Sequence, residues 1–221
     1  MSGLLITLEG VEGSGKTTQL QRLVERLQEA NVPLLVSREP GGTALGQELR
    51  RLLLVPHPSG ETWCAESELL LFYADRAQHL TQVVHPALDA GKVVLLDRFD
   101  DSTRAYQGAQ GVSDAVLDRL SDVVLGRFRP NLTLVLDLDP EVSLERVHAR
   151  NASAGDAFQE TRFDQAALEF HRRVRTRFLQ IAQRDPQRVA IIPADGPPGH
   201  VEAAVWACVA RRLRVAGLLP A

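Results

Sequence analysis

The chain has 221 residues, 44% of them apolar and 24% charged, with a formal net charge of −3. That length suits one α/β domain with a sheet buried between helices, and the mildly acidic balance gives no reason to expect a nucleic-acid partner. Cys64 and Cys208 are isolated, no signal-peptide pattern precedes the first apolar run, and no run approaches membrane-spanning length, so a cytoplasmic protein without a membrane partner is expected.

Residues 4–8, Leu4-Leu5-Ile6-Thr7-Leu8, read as a strand buried on both faces. The run leads into Gly10-Val11-Glu12-Gly13-Ser14-Gly15-Lys16-Thr17, which fits the phosphate-loop pattern G-x-x-x-x-G-K-[ST], and Thr18 adds one more hydroxyl. A helix-patterned segment over 16–29 leaves the loop, completing the strand–loop–helix context that gives the pattern meaning. Glycines let the backbone wrap phosphates with its N–H groups inward, and the helix adds its positive end. Lys16, the only lysine beside Lys92, is placed to neutralise the outer phosphates, and the Thr17 hydroxyl to ligate magnesium. Nucleoside triphosphate binding follows; a reaction does not.

Apolar runs then alternate with helical patterns. Strands are expected at 33–37, 93–97, 132–138 and 188–192, and helices at 43–54, 65–89, 113–126, 140–150, 164–184 and 199–216. The alternation implies right-handed crossovers and a roughly five-stranded parallel sheet with helices on both faces. Within it, Val93-Val94-Leu95-Leu96-Asp97-Arg98 ends a buried strand in an acid, at the edge where open α/β sheets hold ligands. Asp97 is placed to hold magnesium directly or through water, and Arg98 to hold a second phosphate bidentately. An Asp–Arg pair that only closes the strand is the plainer alternative.

Phe72 and Arg76 lie four apart on one helix face. That spacing suits a ring stacked on a base with an arginine at its carbonyl oxygen, although a Phe in such an apolar run is by default core. Ser102-Thr103-Arg104-Ala105-Tyr106-Gln107-Gly108 reads equally as a contact to a nucleobase and its sugar or as an irregular helix start. The small, polar run Asn151-Ala152-Ser153-Ala154-Gly155-Asp156 breaks the pattern, with Arg146 and Arg150 before it and Arg162 after it. A lid over phosphates and an ordinary solvated loop both answer to it, the loop being the commoner outcome. The basic run His171-Arg172-Arg173-Val174-Arg175-Thr176-Arg177 has a solvated helix face as its default.

Together these segments resemble the thymidylate kinases, which pass a phosphate from ATP to dTMP. The resemblance covers nearly the whole chain. It rests on the phosphate loop, on Arg38-Glu39-Pro40-Gly41-Gly42-Thr43, Phe72-Tyr73-Ala74-Asp75-Arg76, Asp97-Arg98-Phe99 and Ala105-Tyr106-Gln107-Gly108, and on Phe128-Arg129-Pro130 before a strand ending in Asp137. It implies a single nucleoside monophosphate kinase-like domain over 1–221, of the three-layer P-loop NTPase fold, with a lid at about 146–163. It also implies ATP and Mg2+ as cofactors, dTMP as acceptor, and a homodimer whose seam involves the apolar face around residues 69–72 and the long helix through Val83. Carried over by residue, Lys16 and the amides of Gly10 to Thr18 hold the ATP phosphates, and Thr17 and Asp97 the metal. Glu12 approaches the acceptor's sugar, Arg98 and Arg50 grip its phosphate, and Phe72 stacks on thymine. Arg76 bonds the base's carbonyl, Thr103 and Gln107 line its edge, and Tyr106 sits under the sugar, where it disfavours a 2′-hydroxyl.

Phosphoryl transfer needs positive charge on the migrating group. The variable loop positions Val11, Glu12, Gly13 and Ser14 carry no base, so in this family the charge is expected from the lid. Arg150 is the expected catalytic arginine, with Arg162 assisting and Arg146 packing near adenine. Phe99, Phe178 and the lid sequence Glu160-Thr161-Arg162-Phe163-Asp164 depart from residues frequent among such kinases. The rivals are a kinase for another deoxynucleotide or a deoxynucleoside, and a GTP-dependent switch. The chain lacks the Asn-Lys-x-Asp segment by which guanine-reading switches are known.

Overall fold

A computed structural model of the chain describes residues 3–154, 163 and 166–220. Strands β1 (Leu4–Glu9), β2 (Leu34–Arg38), β3 (Val93–Asp97), β4 (Leu132–Asp137) and β5 (Val189–Pro193) form a five-stranded, wholly parallel sheet in the order β2-β3-β1-β4-β5. Side chains alternate across a strand, and here both sets are buried. Ile6 and Leu8 of β1 with Val93 and Leu95 of β3 enter one apolar cluster; Leu5, Val94 and Leu96 enter another on the opposite face. Such double burial explains why these strands are continuous apolar runs rather than alternating ones.

The helices that supply the two outer layers are α1 (Lys16–Glu29), α2 (Ala44–Leu54), α3 (Ala65–His79), α4 (His85–Asp89), α5 (Asp100–Ala109), α6 (Asp114–Leu125), α7 (Pro140–Ala154), α8 (Leu168–Arg184) and α9 (Pro198–Val215). No helix among the described residues is long and apolar enough to cross a membrane. The chain starts in the middle of the sheet at β1, runs to the edge at β2 and returns to β3. It then crosses to β4 on the other side of β1. The strand order therefore reverses around β1, and the loop leaving β1 lies at the switch point where such sheets bind ligands.

Four expectations are corrected. The single helix over 65–89 is broken: residues Leu80–Val84 form a π-helical turn between α3 and α4. Pro86 has no N–H for the preceding turn and its ring crowds the carbonyl four residues back, so the helix widens there. The run 102–108, which reads equally as a nucleobase contact or an irregular helix start, lies within a regular helix, α5. The helix expected to stop at 150 continues to Ala154, because alanines favour helix and the first glycine comes only at 155. Finally, α8 begins at Leu168 rather than 164, and residues 164 and 165 lie outside the described residues.

Candidate active site

The carboxyl edge of the sheet opens into a cavity of about 620 Å³. One end is the loop between β1 and α1. Lys16 is buried and its Nζ donates to the carbonyls of Gly10 (3.0 Å) and Val11 (2.8 Å), hooking back across the loop. Burial, with Arg98 adding to it, brings its ammonium down to about 8 against the opposing pull of Asp97, Glu12 and Glu9. Gly10 and Val11 thus serve the loop's shape through their carbonyls, while residues 12–18 line the cavity. Gly13 has φ +71, and a Cβ there would lie 2.5 Å from the carbonyl oxygen of Ser143. The loop is pressed that closely onto α7, and the Ser143 hydroxyl donates to the Glu12 carbonyl.

Thr17 and Thr18 are exposed at the cavity wall, and Asp97 lines the same space. Asp97 Oδ1 is buried with no hydrogen-bond partner. An orphaned carboxylate oxygen and an open hydroxyl suit magnesium, which keeps several waters and takes few protein ligands beside phosphate. Among the described residues, no group of three or more His, Cys, Asp or Glu gathers into a metal cage, so these donors suit an ion held largely by phosphate and water.

Next to the loop stands Arg98, in the left-handed region at φ +70. A non-glycine residue held there marks local strain of the kind found at functional turns. Its Nη1 donates to the Gly10 carbonyl and to Ser102 Oγ (both 3.1 Å), its Nη2 to Glu12 Oε1 (2.9 Å) and Tyr106 OH (3.2 Å). Burial opposes the charge, but Tyr106, Glu12 and Asp97 more than offset it and hold the guanidinium firmly ionised. Glu12 is the counterpart: burial raises it, yet Arg98, His171, Lys16 and Tyr106 bring it down to about 2. Tyr106 OH donates to the Glu12 carboxylate at 2.7 Å from either oxygen, and its ring lies edge-on to Phe163, 5.2 Å between centroids. Arg50 lines the same wall and donates to the Pro40 carbonyl at 2.9 Å.

At the far end, Phe72 is half-buried and lines the cavity, and it also packs against the main core. Its packing into the core therefore does not remove it from the cavity wall. Arg76, four residues on, is almost fully buried. It donates through Nε to Glu39 Oε2 (2.8 Å), through Nη1 to Asp100 Oδ1 (3.3 Å) and through Nη2 to Thr103 Oγ1 (2.9 Å). A guanidinium has five N–H donors, so donors remain for a ligand. Gln107 lines the cavity beside Thr103, and its Nε2 donates to Glu68 Oε1 at 2.6 Å.

Arg146 and Arg150 lie on α7 and line the cavity; Arg146 also donates to the Ala194 carbonyl at 3.2 Å. Arg150 contacts Asn151 Oδ1 at 3.3 and 3.4 Å. Arg162 lies outside the described residues, as does the lid sequence from 155 to 162. The cavity therefore gathers every expected site residue except Gly10 and Val11, which shape the loop, and Arg162.

Sequence reasoning missed several residues that hold this site. Glu9 is fully buried at the end of β1, accepting from the Phe99 N–H (2.8 Å) and from the Ser102 hydroxyl. Its signal, an acid closing a buried strand, was the one that identified Asp97. Glu39 had no role assigned, although it holds both Arg76 and His79 Nδ1 (3.0 Å). The basic run 171–177 is not simply a solvated face. His171 is fully buried 3.5 Å from Glu12 Oε2, Arg175 grips Asp137 at 2.7 and 3.0 Å, and Arg177 reaches Asp114 at 2.5 Å.

Comparison with known proteins identifies the family. The family model described as thymidylate kinase matches residues 8–205. A thymidylate kinase of a Synechococcus species is 48% identical over 96% of this chain and 97% of its own length. That of Deinococcus radiodurans is 46% identical over 95% and 98%. Among solved structures, a thymidylate kinase from Ehrlichia chaffeensis superposes with a TM-score of 0.74 at 33% identity, covering 95% of this chain and all of that one. The matched span includes the phosphate loop, the Asp97-Arg98 turn and α5 with its Tyr106 and Gln107, and with the fold and cavity they occupy it establishes that the chain belongs to the thymidylate kinase family.

Proposed function

We propose that the chain transfers the γ-phosphoryl group of ATP to the phosphate of dTMP, yielding ADP and dTDP. One observation carries the reading: a single cavity joins the phosphate loop with Lys16 to a second cationic centre at Arg98 and Arg50, and ends in Phe72, Arg76, Thr103 and Gln107. A donor triphosphate and an acceptor monophosphate with a pyrimidine base fit that sequence of groups. Lys16 and the loop amides hold the donor's phosphates, and Arg146 beside Ala194 borders the adenine. Arg98 and Arg50 orient the acceptor phosphate for in-line attack, so its oxygen displaces ADP without a covalent enzyme intermediate. Thr17 and Asp97 would hold the magnesium, which when bound would supply charge neutralisation for the donor phosphates. Glu12, kept anionic and fixed by Arg98 and Tyr106, faces the acceptor's sugar, and the Tyr106 ring beneath it leaves little room for a 2′-hydroxyl.

The loop itself carries no arginine, so Arg150 supplies charge to the migrating group from a lid spanning about 146–163, with Arg162 assisting. The molecule acts as one domain and as a homodimer. Leu70 on α3 and Val123 on α6 are 56% and 80% exposed, on helices that pack together through Leu69, Tyr73 and Leu117. Two free cysteines accord with a reducing compartment such as the cytoplasm. The test is ADP release with dTMP, dUMP, dCMP and thymidine as separate acceptors. dTMP should give the highest kcat/KM, and a clear preference for any other acceptor overturns the assignment.

A further inference from the structure

We infer that Glu68, which is outside the cavity wall, sets which way the Gln107 amide faces and thereby makes the site select bases with an N–H at ring position 3. The inference rests on the proposed acceptor site and deepens it. Glu68 sits in the first turn of α3 and is almost fully buried. Its Oε1 accepts from Gln107 Nε2 at 2.6 Å and from Gln110 Nε2 at 3.1 Å. A carboxylate only accepts hydrogen bonds, whereas a carboxamide has one accepting and one donating end. Turning the Gln107 amide over would set its oxygen 2.6 Å from a buried carboxylate oxygen, acceptor against acceptor. Gln110, pressing its own amide nitrogen onto the same oxygen, reinforces the acceptor character of that position.

The amide nitrogen of Gln107 is thus committed to Glu68, and its oxygen is the polar atom left to the cavity that Gln107 lines. An oxygen there accepts from a base whose ring nitrogen carries hydrogen, as in thymine or uracil. Cytosine presents a lone pair at that nitrogen, and two acceptors would then meet in a buried place. Arg76 cannot favour an N–H at the ring nitrogen, because it only donates. Discrimination at ring position 3 therefore originates in Glu68, one residue removed from the ligand, and Glu68 is a positioning residue.

The test compares kcat/KM for dTMP with that for 5-methyl-dCMP, which keeps the methyl group and differs at ring positions 3 and 4. The wild-type chain is compared with Glu68→Gln and Glu68→Leu. Neither variant can hold the Gln107 amide in one orientation through a carboxylate. The ratio should narrow by about tenfold, the size of one misaligned buried hydrogen bond, with the change mainly in KM. General damage to the fold would lower both substrates together and leave the ratio in place. An unchanged ratio in Glu68→Gln, with measurable turnover of dTMP, overturns the inference even if Glu68→Leu fails to fold. Absence of dTMP turnover in the wild-type chain would instead refute the acceptor assignment itself.

Discussion

At the strand edge where β1 ends, Glu9 accepts the Phe99 N–H and the Ser102 hydroxyl, and Ser102 in turn accepts from Arg98. This chain of contacts holds Arg98 in its left-handed conformation. Burial, with Asp101 adding to it, raises the Glu9 carboxyl from 4.5 to about 8, against the pull of Ser102, Arg98 and the Phe99 amide. The folded state therefore keeps a proton that the unfolded chain releases. The stability this contributes is complete below pH 4.5, declines as pH rises, and is lost above about pH 8. Glu9→Gln stays neutral throughout, so its melting temperature should gain on that of the wild type between about pH 5 and about pH 8. A gap that stays constant with pH, measured by thermal denaturation in matched buffers, contradicts the protonated state. Lys16, Asp97 and Arg98 were legible because a loop spacing and a strand end announce them. Glu68 was not, since an acid in the first turn of a helix reads as an exposed complement to the helix dipole, and only packing shows that it faces α5. His171 was hidden in the same way among arginines.

Among the elements, the segment after β2 shows why a glycine pair accompanies it. A Cβ on Gly42 would lie 2.2 Å from His79 Nε2, and one on Gly46 would lie 2.4 Å from Asp75 Oδ1. The loop and the first turn of α2 are packed directly onto α3, where the buried His79 bridges Ser37 Oγ (2.8 Å) and Glu39 Oε1 (3.0 Å). Glu39 in turn anchors Arg76. Gly42→Ala must displace the His79 ring, with an expected loss of about 1–3 kcal/mol for an overpacked core and a rise in KM for dTMP larger than that for ATP. Denaturant unfolding and steady-state kinetics check both, and an unaltered stability would show that the ring has room to move. The least legible element was α5. Nearly all of its residues are buried, polar ones included, with Asp100, Asp101, Thr103 and Gln107 each bonded to a neighbour. A helix covered on every side has no apolar stripe to betray it.

For the molecule as a whole, the alternation of apolar runs and helical patterns was enough to expect the parallel sheet, because strands buried on both faces leave an unbroken apolar signature. The meeting of distant segments in one cavity was not legible from the same pattern; it came from the family resemblance and from the sheet order that puts the ends of β1 and β3 side by side. The proposed dimer belongs to this scale too. Val123→Glu places a charge on an exposed helix position, harmless to a monomer but not to a buried seam. Light scattering should find the wild-type chain at twice the monomer mass and the variant shifted towards monomer; equal masses for the two would move the seam elsewhere. The central claim is the transfer itself, and it is tested most directly by following the label from γ-labelled ATP in a single turnover with dTMP and magnesium. The label should appear in the terminal phosphate of dTDP; its appearance as free phosphate, with dTMP left unmodified, would contradict the account.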